Sequence, residues 1–222
     1  MFDLYIANKN YSSWSLRPWV LMKVLEIPFN EHLMPFEGGF GASHDVYTRF
    51  SPSGLVPCLV DRESDLAVWD TLAIVEYLAE QHANVWPSDK TARAWARSAT
   101  AEMHSGFGAL RDDCSMNCGV RVALNSLSTN LKADVNRLDA LWQQGLERFG
   151  GPFLAGEHFS AVDAFYAPVA FRVQTFNLPM SEKSQAYVGR LLALPAMQAW
   201  YQAALEETWR EPMHEAETLK NG

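Results

Sequence analysis

Ser12, Ser13 and Ser15 surround Trp14 at the point where an apolar strand gives way to a helix. Residues 2–7 alternate apolar and polar side chains, and residues 16–27 carry apolar side chains at helical spacing. A hydroxyl at such a turn sits beside the unpaired N–H groups and the positive end of the helix, so it suits hydrogen bonding to an anion such as a thiolate. It has no redox chemistry of its own. The cysteines supply none either: Cys58, Cys114 and Cys118 are odd in number and form no Cys-x-x-Cys pair. That usage fits reduced, buried thiols in a reducing compartment, with the cytoplasm as the default. Cys114, Cys118 and His104 lack the fourth ligand of a structural metal site in their neighbourhood, and no metal is expected.

Two further patterns set the frame for the serines. Pro57 heads a short apolar run, Cys58 to Asp61, followed by a polar turn at 62–65, a second strand at 66–69, and a helix opened by Asp70 and Thr71 and running to about residue 82. Downstream, Ser160 precedes Asp163 by three residues, the spacing of a reciprocal helix cap. Asp70 by itself reads as the N-cap of its helix, and Ser12 by itself reads the same way.

Taken in order, the serine turn, the Pro57 strand with Asp70–Thr71, and the cap at Ser160 resemble the cytosolic glutathione transferases, most closely the serine-type zeta and theta-like branch. The run Ser-Ser-Trp-Ser is similar to the zeta pattern Ser-Ser-Cys-Ser, with Trp14 in place of the cysteine. The resemblance implies an α/β N-terminal thioredoxin-like domain with a four-stranded mixed sheet, residues 1–82, a linker at 83–90, and an all-helical domain, 91–222, that walls the electrophile pocket. It implies glutathione as co-substrate and a homodimer. Ser12 stands at the first position of the Cys-x-x-Cys equivalent and is the expected donor to the glutathione sulfur, with Tyr11 as the rival. Pro57 is expected to be cis, leaving the Val56 backbone free to pair with the cysteinyl part of the tripeptide. Asp70 would meet the γ-glutamyl ammonium, and Thr71, with a free helix N–H, its α-carboxylate. Leu55 falls where a Lys or Gln often meets the glycyl end. The electrophile pocket is expected from Tyr11, Trp14, Met103, His104, Phe107 and Arg111, although apolar residues at helical spacing also read as plain core. Asn117 and Arg121 are candidates for recognising an acidic substrate, and Arg17 for electrostatics at the site or for pairing with an acidic neighbour.

Composition limits the alternatives. Of the 222 residues, 48% are hydrophobic, enough for a substantial core. The net charge is −8, with no basic cluster, which argues against nucleic acid or an anionic membrane surface as a partner. No apolar run approaches membrane-spanning length, and the N-terminus lacks a basic region before an apolar core, so neither a span nor a signal peptide is expected. The glycines at 38, 39 and 41 lack the spacing and following Lys of a phosphate cradle, so a mobile loop is expected at 36–41 and no nucleotide.

Beyond residue 90 only helical periodicity is found, with helices expected at 91–111, 131–149, 161–176, 185–193 and 196–207, and broken helix or loop at 112–130. The function implied is activation of the glutathione thiolate for attack on a small apolar electrophile. Glutathione-dependent isomerisation of the maleylacetoacetate type, or a non-catalytic interaction module on the same fold, are the alternatives.

Overall fold

The structure is a computed structural model that describes residues 1–38 and 43–220; the glycine-rich stretch at 39–41 lies outside the described residues. Its first half contains strands β1 (Phe2–Ile6), β2 (Phe29–Leu33), β3 (Cys58–Asp61) and β4 (Leu66–Trp69), interleaved with helices α1 (Ser13–Val24), α2 (His44–Tyr47) and α3 (Thr71–Gln81). The sheet order is β2-β1-β3-β4. β1 pairs in parallel with β2 and antiparallel with β3, and β3 pairs antiparallel with β4, the mixed four-stranded sheet expected. Phe2, Leu4 and Ile6 of β1, Leu16 and Val20 of α1, and Ile74 and Leu78 of α3 are buried in its core. The β1-to-α1 connection therefore emerges beside the centre of the sheet, where Ser12 sits.

Helices α4 (Lys90–Ser105), α5 (Gly108–Asp113), α6 (Thr129–Phe149), α7 (Ala161–Phe176), α8 (Glu182–Ala193), α9 (Pro195–Glu206) and α10 (Pro212–Leu219) make up the second half. α7 is buried on nearly every face, and it packs on α1, α4 and α8. A helix apolar all round belongs at the centre of its layer. The reciprocal cap is present at its start: the Ser160 N–H donates to Asp163 Oδ2 at 3.0 Å, and Asp163 Oδ1 accepts from Leu154 N–H and from the Tyr187 hydroxyl.

Two expectations need correction. The helix expected at 91–111 is broken: α4 stops at Ser105, and Phe107, in the left-handed region at φ 58°, starts α5. Gly106 permits the break, since a Cβ there would lie 2.8 Å from the Glu102 carbonyl oxygen. The expected first helix, 16–27, in fact starts at Ser13 and ends at Val24; Glu26 adopts φ 55° just before Pro28, which cannot continue a helix.

Candidate functional site

The site forms where the β1-to-α1 turn of the first half meets α4, α5 and α7 of the second. Ser12 is the N-cap of α1 and is 6% exposed. Its hydroxyl donates to Ser15 Oγ at 2.7 Å and accepts, at 3.4 Å, from Ser15 N–H, while Ser15 Oγ in turn accepts from Ala7 N–H. The local cap thus falls on the hydroxyl for which a chemical role is expected, and Ser15 holds its direction. Tyr11 is differently placed. Its hydroxyl donates to Glu215 Oε1 of α10 at 2.5 Å, and burial followed by that carboxylate pushes its pKa up. A phenol engaged in this way is a poor donor to a second anion.

The turn is held from the far half of the chain. The Glu207 carboxylate accepts from Lys9 N–H at 2.6 Å and from Asn10 N–H at 3.2 Å, and is only 7% exposed. Trp200 Nε1–H donates to the Lys9 carbonyl, Cys118 N–H to the Asn10 carbonyl, and Gly119 N–H to Asn10 Oδ1. Sequence reading missed Glu207 and α10, because their contacts with residues 9–11 span about two hundred positions. The local signal for α10 was present, in the Glu211–Pro212 start.

On the opposite side, the Val56–Pro57 bond is cis and the Val56 backbone has no main-chain partner among the described residues. Leu55 beside it is exposed. Asp70 has φ 72° and ψ 136°, a region that non-glycine residues avoid and that clusters at functional positions. Its Oδ1 accepts from Leu72 N–H at 2.8 Å, capping α3, while Oδ2 lies 3.4 Å from His104 Nε2 of α4. Asp70 is therefore a cap and, at the same time, a carboxylate facing α4 of the second half. Among the described residues the buried Thr71 hydroxyl has no partner, nor has His104 Nδ1.

Apart from Tyr11, the expected pocket residues divide into two groups. Met103 and Phe107, 2% and 6% exposed, belong to the hydrophobic core. Trp14, His104 and Arg111 keep accessible surface and are brought together: the Trp14 ring lies 5.4 Å from the His104 ring and 4.9 Å from the Arg111 guanidinium. Arg111 also closes the end of α4, its Nε–H donating to the Gly106 carbonyl at 3.0 Å and its Nη2 to Met103. Asn117 is buried against Glu215, 3.3 Å from Nδ2 to Oε2. Arg121 donates to the Cys118 and Val120 carbonyls and lines a separate cavity of 520 Å³ between residues 121–127 and the end of α7.

Arg17 is the most unusual group here. It is 1% exposed, and its Nε and Nη1 have no hydrogen-bond partner among the described residues. The guanidinium lies 4.0 Å from the Trp14 ring and 4.8 Å from the Phe165 ring. Burial, then the nearby charges of Arg111 and Arg172, push its pKa well below the ordinary arginine value, and Asp70 opposes them. An aromatic face contributes up to about 2 kcal/mol to a desolvated cation, whereas leaving an ion buried and unpaired costs several. The like charges of Arg111 and Arg172 widen that deficit.

The thiols stand apart from this chemistry. All three cysteines are free and buried, and burial pushes Cys58 up to about 11 and Cys114 up to about 12. A protonated, buried thiol is inert as a nucleophile. Cys114 caps the end of α5 and Cys118 follows in irregular chain, so the two do not share a helix face. Among the described residues no group of three or more His, Cys, Asp or Glu side chains is placed to hold a metal, and no helix is long and apolar enough to cross a membrane.

Comparison with known proteins agrees with this architecture. Residues 11–81 match the model of the glutathione S-transferase N-terminal domain, and residues 92–203 that of the C-terminal domain. Glutathione S-transferase GstB of Escherichia coli K12 is 27% identical over 211 residues, covering 90% of this chain and 91% of that protein. A probable maleylacetoacetate isomerase of Vibrio cholerae is 25% identical over 205 residues, covering 88% and 94%. The glutathione-bound theta class enzyme of Xanthomonas axonopodis pv. citri superposes with a TM-score of 0.66 at 23% identity, covering 92% and 98%. With both domain models matched in sequence order over most of its length, the chain belongs to the glutathione S-transferase family.

Proposed function

We propose that this protein is a serine-type glutathione transferase of the zeta and theta-like branch, in which Ser12 donates to the sulfur of glutathione and favours its thiolate for attack on a small apolar electrophile. In this reading the first unit comprises residues 1–82, a linker 83–90, and the helical unit 91–222. The γ-glutamyl ammonium meets Asp70, its α-carboxylate meets Thr71 and the helix N–H groups, the cysteinyl backbone pairs with Val56 beside Pro57, and Leu55 flanks the glycyl end. Trp14, His104 and Arg111 face the electrophile, with Tyr11, Met103 and Phe107 behind them. The protein works as a cytoplasmic homodimer in detoxification, without a metal.

The observation that carries this reading is the engaged state of the rival donor: Tyr11 is given to Glu215, whereas Ser12 caps α1 at the turn. The Val56 backbone, without a main-chain partner among the described residues, and the avoided backbone conformation of Asp70 support the tripeptide subsites. Glutathione-dependent isomerisation is a second reading, favoured by the isomerase relative. Calorimetry with glutathione tests the shared core of both. One site per chain is expected, and Asp70→Ala should weaken binding by at least about 1 kcal/mol through loss of a charge-assisted contact. Wild-type protein that ignores millimolar glutathione would instead favour a non-catalytic interaction module.

A further inference from the structure

Four buried polar atoms without partners among the described residues lie along one seam between the two halves of the chain. They are Nε and Nη1 of Arg17 on α1, Nδ1 of His104 on α4, and the hydroxyl of Thr71 at the start of α3. The seam is continuous: Asp70 reaches His104 at 3.4 Å, His104 meets the edge of Trp14, and Trp14 lies on both Arg17 and Arg111. A third guanidinium, that of Arg172, is buried behind it, within 3.5 Å of Ser13 Oγ. Asp70 is the acidic group that acts on Arg17 across the seam, and it already caps α3 and faces His104. Arg111 and Arg172 spend donors on backbone carbonyls of Met103, Gly106 and Cys114, whereas Arg17 has no side-chain hydrogen bond or ion pair among the described residues. The contacts of the guanidinium with Trp14 and Phe165 are ones an uncharged methionine could also make without the cost of desolvating a charge.

We propose that Arg17 is a counter-charge for an anion that a ligand brings to this seam, so that the positive charge that Asp70 offsets only in part in the free protein is balanced in the complex. The inference rests on the reading of this cleft as the glutathione and electrophile site. The γ-glutamyl α-carboxylate is already assigned to Thr71 and the helix N–H groups, which leaves two ligand anions with the required chemistry: the glutathione thiolate, formed when the thiol proton leaves to solvent, and a carboxylate on the second substrate. In either case Arg17 acts by its field from behind Trp14, as a positioning residue.

The test uses the full-length protein, wild type and Arg17→Met, with glutathione, S-methylglutathione, which has no ionisable sulfur, and S-(carboxymethyl)glutathione, which places a carboxylate beyond it. If the anion is the thiolate, bound glutathione should titrate at least about one pH unit higher in the variant by thiolate absorbance, with S-methylglutathione affinity unchanged. If it is a substrate carboxylate, the thiol titration should hold and the preference for the carboxymethyl over the methyl ligand should fall about fivefold or more. Ligand-free Arg17→Met should melt at or above the wild-type temperature, because it removes an unpaired buried charge. Arg17→Gln repeats the ligand comparison if the Met variant folds poorly. Unchanged titration and unchanged preference in a folded variant overturn the inference. Wild-type protein that binds none of the three ligands overturns the glutathione reading instead; Arg17 is then judged on melting alone, and a variant less stable than the wild type overturns it.

Discussion

Ser12 carries a sharp expectation because its hydroxyl has a local alternative. It already has Ser15 as acceptor and α1 as the helix to cap. A bound sulfur would therefore compete with Ser15 Oγ for the Ser12 proton, and the positive end of α1 would add to the attraction. A thiol with pKa near 8.5 is only a few per cent ionised at pH 7, and lowering it by about two units makes it mostly thiolate. Ser12→Ala should raise the titration of bound glutathione toward the free value and cut turnover with a generic electrophile at neutral pH by about tenfold or more, leaving affinity nearly unchanged. Thiolate absorbance against pH, at saturating glutathione, reads this, with Tyr11→Phe as control. A shift in the control alone would assign the thiol to tyrosine. The serine turn and Asp70 were legible in sequence because their signals are local, a strand followed by a capping residue. The unpaired state of Arg17 was not, since it depends on Phe165, Arg111 and Arg172, which reach α1 only through the tertiary fold.

At the scale of elements, the β1-to-α1 turn is the piece on which the site depends, and it is fastened chiefly by the second half. Glu207 follows directly on α9 and accepts two consecutive N–H groups, those of Lys9 and Asn10, with Ser12 two residues further on. Glu207→Gln keeps one acceptor and turns an NH2 group toward the other N–H, leaving a buried donor unsatisfied at a cost of about 1–3 kcal/mol. For a chain of this size that corresponds to a melting temperature lower by roughly 2–12 °C. Hydrogen exchange should localise the effect, with faster exchange at the Lys9 and Asn10 amides than in α6, which lies away from this clamp. Uniform loss of protection would mean that Glu207 supports global stability and does not specifically hold the turn. Element types were largely legible from periodicity, and the cap at Ser160 from its spacing. The break at Gly106 was missed because apolar spacing persists on both sides of it, so that pattern outweighed a single glycine.

For the molecule as a whole, the order of the sheet could be expected only by resemblance, and the docking of α10 against Tyr11 not at all; what holds the sheet's first edge emerges from the structure. Asp3 on β1 accepts from Asn30 Nδ2 at 2.9 Å, meets His32 Nε2 at 3.0 Å, both on β2, and takes two hydrogen bonds from Arg62 just beyond β3. Burial would raise its pKa, but the hydrogen bonds from Arg62, Asn30 and His32 outweigh it and hold the carboxyl at about 2. A carboxyl lowered in the folded state contributes stability that is present above its unfolded pKa, near 4, and lost as the pH falls toward 2. With Arg62 half-exposed and screened by solvent, the contribution is about 1–2 kcal/mol. Asp163 works in the opposite sense: burial raises it to about 6 despite four donors, so its contribution is full below pH 4 and declines as the pH rises through 6. The wild-type stability curve mixes the two, and a difference measurement separates them. Urea unfolding of wild type and Asp3→Asn should differ by about 1–2 kcal/mol at pH 7, with the gap closing between pH 4 and pH 2 as Asp3 protonates. A gap that stays constant down to pH 2 would show that Asp3 stabilises the sheet by packing and neutral hydrogen bonds, with its charge contributing nothing.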